Sequence, residues 1–295
     1  MFLYASDMMK YAFSESLDEE YIEGSHCIMG VAFDSTTSYR AGSRYGPKAI
    51  REASYNFESY NINFDKTLTA TSYDIGDVEL NNGNYDSTKH RIKDTVKTML
   101  EMNLKPIVLG GEHTISHAVV EAIKEHDEDK FRDVTIVHFD AHLDMRDAYL
   151  GEKYSHATVL RRIHELNPRQ IIQIGIRSAQ YDEYDYVKCQ DNITVYTSRN
   201  VQDSKNEIIE KLSGIDTPVY ITVDVDVLDP AYAPMVGTPS PCGITPMDLE
   251  DFMKQLAVKD VLGLDVVEVS SDKIGDITSI NASKVIYDYL CLQEQ

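Results

Sequence analysis

Two short runs of acidic and histidine residues, each directly after an apolar, β-branched segment, constrain the fold of this chain more than any other feature. The first reads DAHLD at residues 140–144, after residues 134–137, and the second reads DVD at residues 224–226, after residues 219–223. Alternate side chains of a strand point the same way, so these ligand-type side chains should gather where the strands end. Five converging ligands, four of them carboxylates, would be very costly to bury without a cation. We therefore predict a metal site at the carboxyl edge of a sheet, where open α/β folds bind their ligands.

Apolar, β-branched segments alternate with segments that carry helix signals. Residues 88–101 place apolar side chains at helical spacing, and residues 245–246 read Thr-Pro, an N-cap followed by proline in the first turn. This alternation predicts a single-domain, three-layer α/β/α fold over residues 1–295, with a mostly parallel sheet of about eight strands. The predicted strands are residues 27–33, 69–75, 106–109, 134–139, 171–176, 193–196, 219–225 and 261–269.

A third motif, GGEHT at residues 110–114, follows another of the predicted strands. The two glycines allow a sharp turn, which would place His113 at the start of a helix on the same edge as the two acidic runs. Alone, the motif is more typical of a glycine turn with a structural histidine. Together with the two acidic runs, it makes His113 a sixth candidate ligand.

The DVD run also resembles motifs of two other kinds of site. An EF-hand calcium loop also begins DxD, but this run lacks the glycine and terminal glutamate at the required offsets. A phosphatase of the haloacid dehalogenase type also has an apolar strand followed by D-x-D-x-V-L, as at residues 224–228. That fold needs a cap and a distant lysine and acid pair, for which the rest of the chain leaves little room.

The composition limits the class of partner. The formal net charge of −21 argues against a nucleic-acid partner and favours a cationic ligand, although surplus acid can also simply keep a surface soluble.

No run approaches ~18 uninterrupted apolar residues, so we expect no membrane span. Residues 1–10 lack the pattern of a secretory signal. The four cysteines show no zinc-type spacing, which predicts reduced thiols and a cytoplasmic location, with Cys242 as a candidate reactive thiol.

Taken together, GGEHT, DAHLD and the segment ITVDVDVLDP at residues 221–230 resemble the ureohydrolase family of arginases and agmatinases. The resemblance extends to residues 30–51 and 266–269, in family order. It implies two Mn²⁺ ions bridged by Asp140 and Asp224. The first ion would be held by His113, Asp140, Asp144 and Asp224. The second would be held by Asp140, His142, Asp224 and Asp226. Such a set of oxygens and imidazoles suits a six-coordinate ion better than tetrahedral zinc.

The resemblance also implies two catalytic residues outside the ligand set. His156 matches the proton-shuttle position, and Glu268 matches the residue that pairs with the guanidinium. Purely structural roles remain open for both residues. His156 could be a histidine at a helix start that is hydrogen-bonded to the backbone, and Glu268 could be an acid at a strand end that neutralises a surface cation. The implied reaction is attack of metal-activated hydroxide on the guanidinium carbon.

Agmatine is the predicted substrate, and putrescine and urea are the predicted products. Residues 175–180 lack the acids with which arginases hold the amino-acid head group, and residues 150–158 resemble agmatinases of archaeal type. The alternatives are an arginase, a guanidinobutyrase, a formimidoylglutamase or a non-catalytic homologue. Ala157, Cys242 and Ser271 depart from the family pattern, which leaves the shape of the pocket open. By resemblance alone, we expect a homo-oligomer, either a trimer or a hexamer.

Overall fold

The computed structural model describes residues 5–6 and 9–293. Its strands are β1 (Ala5–Ser6), β2 (His26–Val31), β3 (Tyr60–Asn61), β4 (Lys66–Thr67), β5 (Ser72–Val78), β6 (Lys105–Gly110), β7 (Thr135–Phe139), β8 (Gln170–Ile176), β9 (Ile193–Thr197), β10 (Val219–Asp224) and β11 (Val261–Val267). Its α-helices are α1 (Gly46–Ser54), α2 (Tyr85–Glu101), α3 (Ile115–His126), α4 (Glu128–Phe131), α5 (Val159–His164), α6 (Tyr181–Lys188), α7 (Ser198–Ser213), α8 (Pro246–Leu256) and α9 (Ile277–Leu292). Short 3₁₀ helices span Ser43–Tyr45, His156–Thr158 and Val225–Val227.

The main sheet has nine strands in the order β1-β5-β2-β6-β11-β10-β7-β8-β9. Strand β1 is antiparallel to β5, and the other eight strands run parallel. Each predicted strand overlaps one of these eight, so the predicted fold class is confirmed. The sequence does not predict β1 or the separate β3–β4 pair, because a two-residue strand carries no recognisable alternation.

The register of three central strands positions the candidate site. All residues of β10 are buried, as expected for a parallel strand covered by helices on both faces. Val223 pairs with Phe139 of β7, and Asp224 pairs with Val267 of β11. The segments that follow these strands therefore leave the sheet at the same level. This register brings the DAHLD run, the DVD run and Glu268 together at one edge.

Helices cover both faces of the sheet over two apolar cores. The core under α1, α7, α8 and α9 includes Ile50, Ile208, Phe252 and Ile286. The core under α2, α3, α5 and α6 includes Ile92, Val119, Leu160 and Val187. Helix α8 begins as predicted, with Thr245 Oγ accepting a hydrogen bond from the Asp248 amide at 3.1 Å. The three-layer arrangement follows from these two cores.

Some predictions reach beyond the part of the chain that the structure describes. The prediction that residues 1–10 contain no secretory signal concerns a segment of which residues 1–4 and 7–8 lie outside the described residues. The prediction of one domain over residues 1–295 stays a prediction. Within residues 5–6 and 9–293, we find no helix with the length and apolar character that a membrane span requires.

Candidate metal centre and substrate cavity

The first group of candidate ligands surrounds one nitrogen of His113, in the loop after β6. Carboxylate oxygens of Asp140 and Asp144 lie 3.2 and 3.4 Å from His113 Nδ1. An oxygen of Asp224 lies 3.5 Å from the same atom. His113 is fully buried, yet its Nδ1 atom has no hydrogen-bond partner. A buried nitrogen left unbonded among three carboxylates is the arrangement expected around a cation.

The hydrogen bonds of the other His113 nitrogen assign the form of this ring. His113 Nε2 lies 2.9 Å from Thr222 Oγ1, and the Thr222 hydroxyl donates to Asp265 at 2.5 Å. Because the hydroxyl proton is used on Asp265, Thr222 accepts from Nε2–H, so Nδ1 is the nitrogen that faces the three carboxylates. Burial lowers the pKa of His113, but Asp140, Asp144 and Asp224 raise it well above its usual range, so these carboxylates favour a positive charge at this point. A metal ion bound by the lone pair of neutral Nδ1 would supply that charge. The residues present therefore fit a metal ion, with Thr222 and Asp265 orienting the imidazole.

The second group lies beside the first and shares Asp140 with it. His142 Nδ1 lies 3.0 Å from Asp226 Oδ2 and 3.3 Å from Asp140 Oδ1. Asp140 thus turns Oδ1 toward His142 and Oδ2 toward His113. Asp226 Oδ1 accepts a hydrogen bond from the Ala141 amide at 3.0 Å, which ties the two acidic runs together. Asp140 therefore faces both groups, as a carboxylate shared by two ions would.

The electrostatics of the cluster also favour a cation. Burial, together with the charges of Asp226 and Asp140, raises the pKa of Asp224 well above its usual range. Burial raises the pKa of Asp144 to about 7. Burial alone would raise the pKa of Asp140 too, but the His138 and His113 imidazoles hold it well below its usual range. Burial disfavours the ionised form of these carboxylates. Bound cations would offset the free-energy cost of keeping them ionised in the interior.

Sequence reasoning missed His138, which also lies in the first group. Its Nε2 atom lies 2.9 Å from Asp140 Oδ2, while its Nδ1 atom lies 3.0 Å from Gln173 Nε2. The Gln173 amide donates to Nδ1, so Nε2 carries the proton and donates to Asp140. His138 is therefore placed as a hydrogen-bond partner of a ligand. The missed signal is that residue 138 stands two positions before Asp140 and so shares its strand face.

Glu268 follows β11 directly and contacts the His113 backbone in the first ligand group. It is buried and adopts a φ of 69°, and its Oε1 atom accepts a hydrogen bond from the His113 amide at 2.8 Å. Burial, followed by the charge of Glu112, raises the pKa of Glu268 to about 8. A Cβ atom on Gly237 would lie only 3.0 Å from Glu268 Oε2, so this glycine leaves the carboxylate room.

His156 lies in the 3₁₀ helix His156–Thr158, which is capped by Ser155. Burial lowers the pKa of His156 to about 4. His156 and Glu268 line one cavity of about 200 Å³, together with Asp224, Asp144 and His142. The structure thus brings the predicted catalytic residues to the predicted ligands, while their roles stay predictions.

Two charged residues that sequence reasoning missed line the same cavity. Glu183, in the first turn of α6, accepts hydrogen bonds from the amides of Met145 and Gln180 at 3.1 and 2.7 Å. Arg146 Nε lies 3.4 Å from Glu183 Oε2, and its guanidinium lies over the Tyr149 ring at 4.8 Å. Only the folded chain brings α6 against the segment after the DAHLD run. An acid is therefore present in this cavity although residues 175–180 contain none.

The parallel three-layer α/β fold thus carries, at its carboxyl edge, buried histidine and aspartate side chains that could hold a metal ion. Residues 25–291 match the family model described as the Arginase family, and the chain belongs to that family. The predicted resemblance to ureohydrolases is thereby confirmed, and the family decides against the phosphatase alternative.

Similar proteins of known name indicate the class of compound on which this chain acts. The chain is 35% identical to N(1)-aminopropylagmatine ureohydrolase of Thermococcus kodakarensis, over 97% of this chain and 96% of that one. It is 38% identical to an agmatinase of Bacillus cereus, over 89% of this chain and 90% of that one. The solved structure of agmatine ureohydrolase of Thermoplasma volcanium matches with a TM-score of 0.84 at 33% identity, over 97% of this chain and 94% of that one. The protein is therefore a hydrolase that acts on guanidino or amidino compounds.

Proposed function

We propose that this protein hydrolyses the guanidinium group of agmatine to give putrescine and urea, with two Mn²⁺ ions as its cofactor. The observation that carries the proposal is a single cavity whose lining includes Glu268, Glu183 of α6 and the candidate ligands His142, Asp144 and Asp224. Several carboxylates around one cavity suit a substrate with a guanidinium at one end and an ammonium at the other. Agmatine is such a dication.

The six candidate ligands would hold the metal ions as two overlapping groups, with Asp140 facing both. When bound, the ions would supply Lewis acidity that lowers the pKa of water from ~15.7 toward neutrality and so provides a nucleophile. His113 is pre-oriented for ligation by Thr222, and His138 orients the carboxylate of Asp140. These hydrogen bonds would fix the ligand positions before substrate arrives.

Glu268 would bind and orient the guanidinium. A carboxylate matches this planar group with two parallel hydrogen bonds. The His113 amide already donates to Glu268 Oε1, which fixes the carboxylate relative to the metal ligands. The guanidinium carbon would then be held next to Asp224 and His142, which line the same cavity.

His156 would deliver a proton to the leaving amine. When the carbon–nitrogen bond breaks, its electron pair stays on the amine nitrogen, which must gain a proton to leave. An imidazole with one face toward the cavity can carry that proton. The half-buried position of His156 beside Ala157 and Ser38, which also line the cavity, supports this role.

Agmatine is favoured over arginine because of the charges on the cavity wall. Among the described residues that line this cavity, Arg146 is the one guanidinium, and it already pairs with Glu183. A substrate carboxylate would have to compete with Glu183 for Arg146, and it would add a negative charge to a cavity that Glu183, Glu268, Asp144 and Asp224 already line. The names of the two relatives, an agmatinase and an N(1)-aminopropylagmatine ureohydrolase, support a decarboxylated substrate.

The proposal is tested by measuring urea release by the Mn²⁺-loaded protein from agmatine, N(1)-aminopropylagmatine, arginine and guanidinobutyrate. We expect the highest kcat/KM with agmatine. A higher kcat/KM with arginine or guanidinobutyrate would overturn the assignment of agmatine as the substrate. Urea release from none of the four compounds would overturn the proposed reaction. We further propose a cytoplasmic homo-oligomer, either a trimer or a hexamer, whose mass is measurable by analytical ultracentrifugation.

A further inference from the structure

We infer that Thr36 and Glu112 are positioning residues that hold His156 in the tautomer with hydrogen on Nδ1, so that Nε2 is the atom that exchanges the proton. This inference rests on the proposed function of His156. Neither Thr36 nor Glu112 belongs to the predicted ligands or catalytic residues. Both act, in this inference, only through the histidine.

The Glu112 carboxylate is fully buried. It accepts hydrogen bonds from the Thr36 amide at 2.8 Å and from the Thr36 hydroxyl at 2.7 Å. The hydroxyls of Thr37 and Thr114 donate to it as well, at 3.2 and 2.9 Å. Four donors converge on one carboxylate, which therefore fixes the loop that carries Thr36.

The Thr36 hydroxyl then determines the proton position on His156. Its single proton points to Glu112 Oε1, because a carboxylate is a stronger acceptor than a neutral imidazole. Thr36 Oγ1 is left as an acceptor, and it lies 3.2 Å from both the His156 amide and His156 Nδ1. A hydrogen bond between Nδ1 and this oxygen therefore requires Nδ1 to donate and to carry the hydrogen.

A second hydroxyl near the ring is compatible with this assignment. Ser155 Oγ lies 3.3 Å from His156 Nδ1 and accepts a hydrogen bond from the Ala157 amide. Since an oxygen has two lone pairs, Ser155 can accept from Nδ1–H together with Thr36. In the alternative arrangement, the Ser155 hydroxyl donates to an Nδ1 without hydrogen, and the ring hydrogen lies on Nε2. The position of the hydrogen on the ring distinguishes the two arrangements.

In the inferred tautomer the free lone pair of the His156 ring is on Nε2. With hydrogen on Nδ1, Nε2 carries a lone pair and lies 3.3 Å from Ser38 Oγ, another residue of the cavity wall. Nε2 can then take a proton released from the attacking water and give it to the amine nitrogen as the carbon–nitrogen bond breaks. The ring ends the cycle neutral, again with hydrogen on Nδ1. Loss of the Thr36 hydroxyl would leave the ring free to adopt the other tautomer or to turn.

The experiment compares Thr36→Val with Thr36→Ser in the Mn²⁺-loaded enzyme with agmatine. We expect Thr36→Val to lower kcat about 10- to 100-fold, a part of the usual contribution of general acid–base catalysis, with KM and metal content unchanged. Thr36→Ser keeps the hydroxyl and should retain most of kcat. Thr37→Val is the matched control, because it removes another donor to Glu112, one with no hydrogen bond to His156 among the described residues. We expect it to keep kcat within about threefold.

A double-mutant cycle separates positioning from a general structural effect. In the His156→Asn background, Thr36→Val should cause no further loss, since its effect passes through the histidine. An equal loss in both backgrounds, or no loss from Thr36→Val alone, would overturn the inference. No loss from His156→Asn itself would instead overturn the proposed role of His156, and an inactive wild type would overturn the proposed function.

A readout independent of turnover is neutron diffraction from crystals of the Mn²⁺-loaded enzyme exchanged into D₂O. We expect deuterium on His156 Nδ1 and the Thr36 deuteroxyl directed at Glu112. A His156 Nδ1 without deuterium, with Ser155 donating to it, would overturn the inference.

Discussion

His138 Nε2 lies 2.9 Å from Asp140 Oδ2, within the group of buried residues around His113. Replacing His138 by alanine should weaken Mn²⁺ binding about 10- to 100-fold without removing a ligand, because partners of ligands typically contribute that much to affinity. Titration of the metal-free variant with Mn²⁺, followed by calorimetry, measures the change. His90→Ala is the control, since His90 is exposed on α2 and pairs only with Asp94 in the described part of the chain. Equal affinities in wild type and His138→Ala would contradict this placement.

Asp224 is the predicted bridging ligand on β10, and Asp224→Ala tests it. The change should remove at least one metal ion per chain and abolish turnover, because it deletes a buried carboxylate that faces His113 Nδ1. Elemental analysis of dialysed protein gives the metal content, and urea release gives the activity. Full activity with two ions per chain would refute the assignment of Asp224 as a ligand.

Glu183 should bind the amine end of the substrate. Glu183→Gln removes the charge but keeps the shape, so KM for agmatine should rise about tenfold or more while kcat changes little. Butylguanidine has no amine, and its KM should not change. Asp182→Asn is the matched control, since Asp182 is exposed in the same helical turn. A similar rise in KM for both substrates would show that Glu183 shapes the cavity without binding the amine.

His26, at the start of β2, should make folding stability depend on pH. Burial, followed by the charge of Lys105, lowers the pKa of His26 to about 4. On acidification the unfolded chain therefore binds the proton first. The contribution of neutral His26 is complete above about pH 6.5 and is lost as the pH falls toward 4, by up to ~3 kcal/mol. Denaturant unfolding of the metal-free protein at several pH values measures this loss, which should be smaller in His26→Gln. Equal losses would assign the acid sensitivity to other groups.

Much of the site follows from sequence because ligand chemistry is dense there. Asp140, His142 and Asp144 stand within five positions directly after a strand, so a strand assignment is enough to place them. Glu183 could not be placed in this way, because only the packing of α6 against the segment after Asp144 brings it to the cavity. His138 is hidden for a different reason: a buried histidine inside an apolar strand looks like part of the core.

The departures from the family pattern have different structural settings. Ala157 lines the cavity, so its small side chain affects the pocket directly. Cys242 adopts a φ of 66°, a conformation that favours the glycine frequent at this position in the family. Cys242 is exposed, and its reactivity stays a prediction.

The pairing of Val223 with Phe139 and of Asp224 with Val267 also bears on how this scaffold can be redesigned. A one-residue insertion inside β10 would turn its side chains to the opposite face and dismantle the ion-binding edge. An insertion at the exposed turn of residues 150–152 would leave that edge intact while altering the wall near Tyr149. Engineering for longer or bulkier guanidines should therefore begin in this turn and leave the strand interiors unchanged.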